Sequence, residues 1–389
     1  MSTRLHELHA AGQSLWLDYI DRDILSNGDL ARRIRDDALT GMTSNPTIFE
    51  KALAEGSAYD AQVASLDPAL SAKAAFEIIA ATDVRDACDA FRGVYAATNA
   101  VDGYVSLEVS PDLARDAAGT IAEAHRLWAL VDRPNLMIKV PGTIEGAVAV
   151  KQLIADGLNV NITLLFAIDA HARVIEAYLA GLEVRVAAGL PIDRIASVAS
   201  FFVSRVDTAI DKQLDSMAAL ASDAAHADQL RTLRGKAAIA NAKLAYQLFA
   251  TSFAGPRWAA LVAHGAHVQR PLWASTSSKN PAFRDVIYVE ELIGPDTVNT
   301  LPPATLEAFR DHGETRHSVT RDIAGAEQAL AALAVAGISL RAVTDTLLAD
   351  GLSSFGHSFV TLLAGLERKR AALTSTFHSP SGATDVASI

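Results

Sequence analysis

Eight short apolar segments, separated by longer stretches with helical periodicity, constrain the fold of this chain more than any other feature. The candidate strands are Leu15–Tyr19, Gly41–Asn45, Tyr104–Val109, Leu136–Val140, Asn159–Leu164, Ala196–Ser200, Pro271–Ser275 and Thr297–Leu301. Strands that alternate with helices are typical of α/β proteins with a parallel sheet. Eight such units favour a closed (β/α)8 barrel of the TIM type. The sequence has no G-x-G-x-x-G or G-x-x-x-x-G-K phosphate loop, which argues against an open nucleotide-binding sheet.

Three stretches are longer than a simple connection between barrel units requires. Residues 51–101 and 211–264 are helical in pattern and predict added helices between strands. Residues 303–373 predict a C-terminal helical extension, and the Ser/Thr-rich residues 374–389 are predicted to be a mobile tail. Since neither a repeat nor a linker divides the chain, residues 1–389 are expected to form a single elaborated barrel domain.

The charge balance limits the partners and the location of the protein. A net charge of −11 without a basic patch argues against nucleic acid and anionic membranes as partners. The polar start of the chain and the lack of an apolar run of membrane-spanning length predict a cytoplasmic protein. The single cysteine excludes a disulfide within the chain, and His264 and His267 have no evident third ligand, so no metal site is predicted. The sequence leaves the formation of a homo-oligomer open.

Polar side chains recur near the carboxyl ends of the predicted strands. In Leu136–Val140, Lys139 lies on the opposite face from Ile138 and Val140, whose aliphatic side chains suit the surrounding helices. Lys139 should therefore point into the barrel. The same argument on other strands places these residues inside: Asp18, Thr43, Asn45, Glu108, Asn161, Thr163 and Ser200. Barrel enzymes carry their active sites at this end, above an aliphatic interior.

Each of these residues alone has an ordinary structural explanation, because a strand-end lysine can reach solvent and a carboxylate can cap the next helix. Together they place an ammonium group and two carboxylates in one pocket, which is costly unless chemistry requires it. A desolvated lysine has a lowered pKa, and its neutral amine can attack a carbonyl. The resulting protonated imine is an electron sink for cleavage of a neighbouring C–C bond, with carboxylates to move protons. The pattern predicts Schiff-base aldolase chemistry that needs no cofactor.

Five motifs give this chain a specific resemblance to a known family. They are GMTSNPTIF (residues 41–49), VSLEV (105–109), LMIKVPGT (136–143), NVNITLLF (159–166) and SFFVSRVD (200–207). In this order they resemble transaldolases over nearly the whole chain. The length and the segment LWASTSSKNP (272–281) are most similar to the longer bacterial branch of that family.

The resemblance implies roles for individual residues. Lys139 would form the Schiff base, Asp18 would move the proton of the C4 hydroxyl, and Glu108 with Thr163 would hold a water that shuttles protons. The residues implied in substrate binding are Asn45, Asn161 and Ser200 around the dihydroxyacetone unit, Thr43 on the same strand face as Asn45, Phe202 on the pocket wall, and Arg205 and Lys279 at the phosphate. Lys279 stands where shorter members have an arginine in an A-S-F-R-N context, and its loop is longer here.

The implied reaction moves a dihydroxyacetone unit from sedoheptulose 7-phosphate to glyceraldehyde 3-phosphate, giving erythrose 4-phosphate and fructose 6-phosphate. One alternative is a fructose 6-phosphate aldolase that uses the same imine and captures the enamine with a proton. Glu108 and the long phosphate loops favour transfer over this alternative. Another alternative is a non-catalytic sugar-phosphate-binding barrel, against which the presence of Lys139, Asp18 and Glu108 argues.

Overall fold

The computed structural model describes residues 3–54 and 56–377 and contains a closed barrel of eight parallel strands. The strands neighbour one another in chain order, and the last pairs with the first. They are β1 (Gln13–Asp18), β2 (Leu39–Thr43), β3 (Val105–Glu108), β4 (Leu136–Pro141), β5 (Val160–Leu165), β6 (Ser197–Phe202), β7 (Arg270–Ala274) and β8 (Thr297–Leu301). The predicted (β/α)8 barrel is thus confirmed. All eight predicted strands are present: β8 has the predicted bounds, and the other seven begin or end at different residues.

Helices fill the connections and form the C-terminal part of the described chain. They are α1 (Arg4–Ala10), α2 (Arg22–Ser26), α3 (Asp29–Asp36), α4 (Pro46–Ala54), α5 (Asp60–Ser65), α6 (Ala72–Ala90), α7 (Arg92–Ala97), α8 (Ala117–Val131), α9 (Ile144–Asp156), α10 (Ile168–Ala187), α11 (Ser204–Leu220), α12 (Ala224–Arg231), α13 (Ala237–Ser252), α14 (Gly255–Val262), α15 (Ile287–Glu290), α16 (Pro303–His312), α17 (Ile323–Val335) and α18 (Leu340–Phe377). A single 3₁₀ turn at Pro111–Leu113 precedes α8. The β6–β7 connection holds four helices, α11 to α14, in agreement with the added helices predicted over residues 211–264.

The last helix, α18, differs from its prediction in two ways. It continues to Phe377, beyond the predicted end of the helical extension at residue 373, and residues 378–389 of the predicted mobile tail lie outside the described residues. By length and composition alone, Leu340–Thr374 could cross a membrane, contrary to the prediction that no segment reaches that length. In this fold α18 packs against α4 and buries Leu362 and Leu366 in the core.

A buried polar cluster fixes the lower part of the barrel. The indole Nε1 of Trp16 donates a hydrogen bond to Asp102 Oδ1 at 2.8 Å, and Arg270 Nη2 lies 3.4 Å from the same oxygen. Trp16 lies so close to Gly41 that a Cβ atom there would come within 2.5 Å of the indole ring. Only glycine at position 41 therefore lets β1 and β2 pair beside this ring. Trp16 thus packs the barrel below the strand ends.

Helix α10 carries an ionisable side chain that has no polar partner. His171 is completely buried, and its ring centroid lies 5.8 Å from that of Phe201. Within the described residues, neither ring nitrogen has a hydrogen-bond partner. Burial lowers the pKa of His171 to about 4, so the ring is neutral at physiological pH.

This histidine should make folding sensitive to mild acid. In the unfolded chain its pKa returns to about 6.5, so the unfolded state binds more protons between about pH 4 and pH 6.5. The free energy of unfolding is therefore unaffected by His171 above this window and falls as the pH drops through it. Between pH 7 and pH 4.5, the free energy of unfolding should fall by roughly 2–3 kcal/mol less in His171→Phe than in the parent. Urea unfolding of both proteins at both pH values tests this, and equal losses would contradict it.

Candidate active site

A cavity of about 650 Å³ opens at the carboxyl ends of the barrel strands. Most residues that the sequence predicted for the site lie on its walls: Asp18, Thr43, Asn45, Lys139, Thr163, Ser200, Phe202, Arg205 and Lys279. The other two, Glu108 and Asn161, lie behind residues of the wall. The period-two alternation of the strands thus brings side chains from six strands to one place, where residues from three segments that follow strands join them.

Lys139 is buried and held in one position at the end of β4. Its Nζ donates a hydrogen bond to the carbonyl oxygen of Ser44 at 3.0 Å and lies 3.5 Å from Glu108 Oε2. The register of the sheet explains this contact, because Glu108 on β3 and Asn161 on β5 are the direct neighbours of Lys139 on β4. The amine therefore faces both the cavity and a carboxylate.

Glu108 has a carboxyl group that can change protonation at neutral pH. Burial raises its pKa to about 7, although the neighbouring Lys139 ammonium group opposes the rise. Glu108 lines a second, much smaller cavity, together with Ser44 and Phe49. Within the described residues, Glu108 Oε2 and Thr163 Oγ1 are buried polar atoms without a hydrogen-bond partner. Two such atoms in one site are unusual, because buried polar atoms normally have hydrogen-bond partners.

Asp18 occupies a different environment at the end of β1. Its Oδ1 accepts a hydrogen bond from Thr43 Oγ1 at 2.7 Å, and the Thr43 hydroxyl lies 2.6 Å from that of Thr300. Burial raises the pKa of Asp18, while the charge of Lys139 and the Thr43 hydrogen bond lower it. Two carboxyl groups near one lysine, each with different partners, can take separate acid–base roles.

Asn161 lies behind the cavity wall and orients Ser200. Its Nδ2 donates to Ser106 Oγ at 2.9 Å, and its Oδ1 accepts from Ser200 Oγ at 2.6 Å. Ser200 was predicted to end its strand, but β6 continues to Phe202. Because Ser200 and Phe202 are two residues apart on one strand, both side chains face the cavity.

Asn45 reaches the cavity from a turn. The second strand was predicted to end at Asn45, but β2 ends at Thr43 and α4 begins at Pro46. The side chain of Asn45 accepts a hydrogen bond from the backbone N–H of Ile48 at 3.0 Å, as in a helix cap. Pro46 at the start of α4 favours the early end of β2, since proline has no backbone N–H to donate to a neighbouring strand.

The backbone is strained where two strands reach the cavity. Leu164 on β5 and Ser275 after β7 have positive φ angles of 58° and 56°. The pairing of β5 with β6 is irregular between Ile162 and Leu165, on either side of Thr163. Bulges and left-handed non-glycine residues are enriched at functional sites, where they redirect side chains.

Two cations that the sequence predicted as phosphate ligands lie on the cavity wall. Arg205, in the first turn of α11, is half-buried, and its guanidinium group lies 5.3 Å from the ring centroid of Phe202. It has no ion-pair partner in the described part of the chain, and burial lowers its pKa, with Asp18 opposing. Lys279 is exposed in the loop after β7 and donates a hydrogen bond to Ser277 Oγ at 2.8 Å.

The sequence did not identify several residues of the cavity wall. They are Lys51 on α4, Thr208 and Lys212 on α11, and Leu347, Asp350, Ser354 and Phe355 on α18. The spacing of Arg205, Thr208 and Lys212 is that of one helix face and could have indicated the α11 residues. The α18 residues also share a face, but nothing in the sequence shows that this face covers the barrel.

Metal ligands and the single thiol were the other candidates for chemistry in residues 3–54 and 56–377. In these ranges, no three His, Cys, Asp or Glu side chains are grouped so that they could hold a metal ion. Cys88 is buried, and burial raises the pKa of its thiol, which leaves it unreactive at neutral pH.

Similarity to known proteins places this cavity in an enzyme family. The transaldolase/fructose-6-phosphate aldolase family matches residues 15–366. The chain belongs to this family. The match runs from Leu15 in β1 to Leu366 in α18, so it includes the barrel except for the first two residues of β1, and most of the helix beside the cavity. The resemblance seen in the motifs is thus confirmed.

Three curated relatives illustrate the similarity along the chain. A "Transaldolase" of Frankia alni is 48% identical over 371 residues, which cover 95% of this chain and 98% of that protein. A "Transaldolase" of Thermobifida fusca is 47% identical over 376 residues, covering 96% of this chain and 100% of that protein. "Transaldolase 2" of a Nostoc species is 47% identical over 369 residues, covering 94% and 97%.

Proposed function

We propose that this protein is a transaldolase that transfers a dihydroxyacetone unit through an imine on Lys139. The donor is sedoheptulose 7-phosphate and the acceptor is glyceraldehyde 3-phosphate, and the products are erythrose 4-phosphate and fructose 6-phosphate. One observation carries the proposal: a buried lysine, 3.5 Å from a carboxylate, faces a cavity that also contains Asp18, in a chain of this family.

The first step is the formation of the imine. The neutral amine of Lys139 attacks the C2 carbonyl of the donor, and the carbinolamine loses its hydroxyl group as water. This loss needs a proton donor, and Glu108, with its pKa near 7, can supply a proton at neutral pH. Glu108 Oε2 and Thr163 Oγ1, which have no hydrogen-bond partner within the described residues, support a relay in which both atoms hold the water that carries this proton.

The second step breaks the C3–C4 bond of the donor. Asp18 takes the proton of the C4 hydroxyl, the C3–C4 electron pair moves into the iminium group, and the shortened aldehyde leaves. The remaining three carbons stay on Lys139 as an enamine. The carbon nucleophile of this enamine attacks the acceptor aldehyde, and Asp18 returns its proton to the new hydroxyl. The reverse of the first step then releases the product ketose.

The remaining predicted residues hold the two ends of the substrate. Ser200, oriented by Asn161, and the neighbouring Asn45 and Thr43 provide hydrogen bonds for the dihydroxyacetone end, and Phe202 forms an apolar wall beside it. At the other end, Arg205 and Lys279 take the phosphate group. A protein with a net charge of −11 repels sugar phosphates at long range, so local cations are needed for their capture. The expected cytoplasmic location remains a prediction.

A coupled assay tests the proposed function. The enzyme is supplied with fructose 6-phosphate and erythrose 4-phosphate, and glyceraldehyde 3-phosphate is detected. A transaldolase forms it over repeated turnovers only when both sugars are present, and releases at most one equivalent per enzyme from fructose 6-phosphate alone. An aldolase releases it continuously, with free dihydroxyacetone, from fructose 6-phosphate alone. Acceptor-independent release would favour the aldolase, and no product under either condition would favour a binding protein.

Removal of Arg205 should weaken binding of phosphorylated substrates. A charge-assisted contact is worth about 1.5–3 kcal/mol, so Arg205→Ala should raise the KM for fructose 6-phosphate about ten- to hundredfold. Lys279→Ala should have a smaller effect, since Lys279 is exposed and its charge is screened by solvent. Unphosphorylated fructose is the control, and its turnover should change little. If Lys279→Ala left the KM for fructose 6-phosphate unchanged, Lys279 would not be a phosphate ligand.

A further inference from the structure

We propose that Lys212 is a specificity-determining residue that favours the seven-carbon donor over the six-carbon donor by contacting its phosphate group. This inference rests on the proposed function and adds an outer cation to the phosphate end of the same site. Its basis is the position of Lys212 on α11, its free charge and its exposure at the opening of the cavity.

Helix α11 forms one wall of the cavity. Thr208 and Lys212 follow Arg205 by three and seven residues, which places all three on one helix face. All three line the cavity. Along the helix axis, the backbone of Lys212 lies about 10 Å from that of Arg205. Thr208 lies between them, and its hydroxyl group donates to the carbonyl oxygen of Ser204 at 3.0 Å. The face therefore presents two cations in a row with a hydroxyl group between them.

The charge of Lys212 is not paired within the described residues. Asp211 and Asp215 share a neighbouring cavity of about 430 Å³ with it, but both have other partners. Asp211 Oδ1 accepts from the backbone N–H of Gly235 at 3.0 Å, and Asp215 Oδ1 lies 3.3 Å from Arg234 Nε. A third carboxylate, Asp350, lines the main cavity from α18. An unpaired ammonium group on the wall of a substrate cavity is suited to an anionic ligand.

The length of the donor decides which cations its phosphate group can reach. Both donors are fixed at C2 by the imine on Lys139, but the phosphate of sedoheptulose 7-phosphate is one carbon further from C2 than that of fructose 6-phosphate. The longer donor therefore places its phosphate nearer the opening. Arg205 is half-buried and Lys212 is exposed, so Lys212 is the outer cation. The phosphate of the longer donor can contact Lys212 in addition to Arg205 and Lys279, whereas that of the shorter donor does not reach Lys212.

Borohydride trapping in the absence of acceptor measures donor binding for each sugar separately. We compare the parent with Lys212→Ala, Lys212→Arg and Lys151→Ala in the full-length enzyme, and determine the donor concentration that gives half-maximal trapping. Lys151 is a matched control, because it is an exposed helical lysine that does not line the main cavity. Lys212→Ala should raise the half-maximal concentration of sedoheptulose 7-phosphate about fivefold and change that of fructose 6-phosphate less than about twofold.

The controls separate this inference from the proposed function. Lys212→Arg and Lys151→Ala should both keep the preference of the parent for sedoheptulose 7-phosphate over fructose 6-phosphate. The effect of Lys212→Ala on this preference should be smaller at high salt. An equal change for both donors, or no change for either, would overturn the specificity role of Lys212. If the parent enzyme were trapped by neither sugar, the proposed function itself would fail.

Discussion

Replacement of Lys139 by methionine is expected to abolish transfer activity, with a loss on the order of 10⁴- to 10⁶-fold. Methionine keeps the length and the burial of the side chain but cannot form an imine. Treatment of the parent with fructose 6-phosphate and borohydride should attach a three-carbon group to Lys139, and mass spectrometry of the digested protein locates it. The variant should carry no adduct at any position.

Lys243 provides a matched control for this experiment. It is also a buried lysine, but it lies 3.4 Å from Glu291 and donates to the carbonyl oxygen of Arg321, away from the barrel cavity. Lys243→Met should therefore leave the adduct on Lys139. An adduct on any other lysine of the parent, or trapping that survives in Lys139→Met, would show that the imine forms elsewhere.

Asp18 and Glu108 should fail at different steps when they are replaced by their amides. Asp18→Asn retains Glu108, which acts in imine formation, but loses the carboxylate that acts in C3–C4 cleavage. The imine should therefore form without cleavage of the donor. Borohydride should then trap a six-carbon adduct in place of the three-carbon one. Glu108→Gln should slow the formation of every adduct. General acid–base catalysis contributes about 10²–10⁴-fold, so both variants should lose activity in that range.

The pH dependence of trapping distinguishes the two carboxyl groups further. Since burial raises the pKa of Glu108 to about 7, the rate of imine formation in the parent should change with an apparent pKa near that value. This change should be absent in Glu108→Gln. Three-carbon adducts in Asp18→Asn at the parent rate would exclude Asp18 as the group that drives cleavage.

The local sequence was sufficient to predict the barrel and the inward direction of its polar side chains. Lys139 alternates with Ile138 and Val140 along a short strand, and the structure places it inside the barrel beside Glu108. This works because the period of two is a property of the extended backbone and does not depend on distant residues. The TIM-type topology likewise follows from the order of the elements, since parallel strands with helical crossovers close in few ways.

The ends of the strands were predicted less well, because they depend on turns and on neighbouring elements. Asn45 leaves the sheet to cap α4, and the continuation of β6 to Phe202 is fixed by its pairing with Ala274 on β7. The pKa of Glu108 could not be predicted from the sequence either, because it depends on the burial of the carboxyl group and on its distance from Lys139.

The tertiary structure alone decided what covers the opening of the barrel. The sequence indicated a C-terminal helical extension over residues 303–373, but the apolar residues of α18 are spread so that no single face is marked for burial. In the structure Lys369 on α18 pairs with Asp60 at 2.7 Å, and Leu347 and Asp350 near the start of the same helix line the cavity. These contacts join residues about 300 positions apart in the chain. Periodicity along a segment shows which side chains share a face, but which surface that face meets is set by packing between distant parts of the chain.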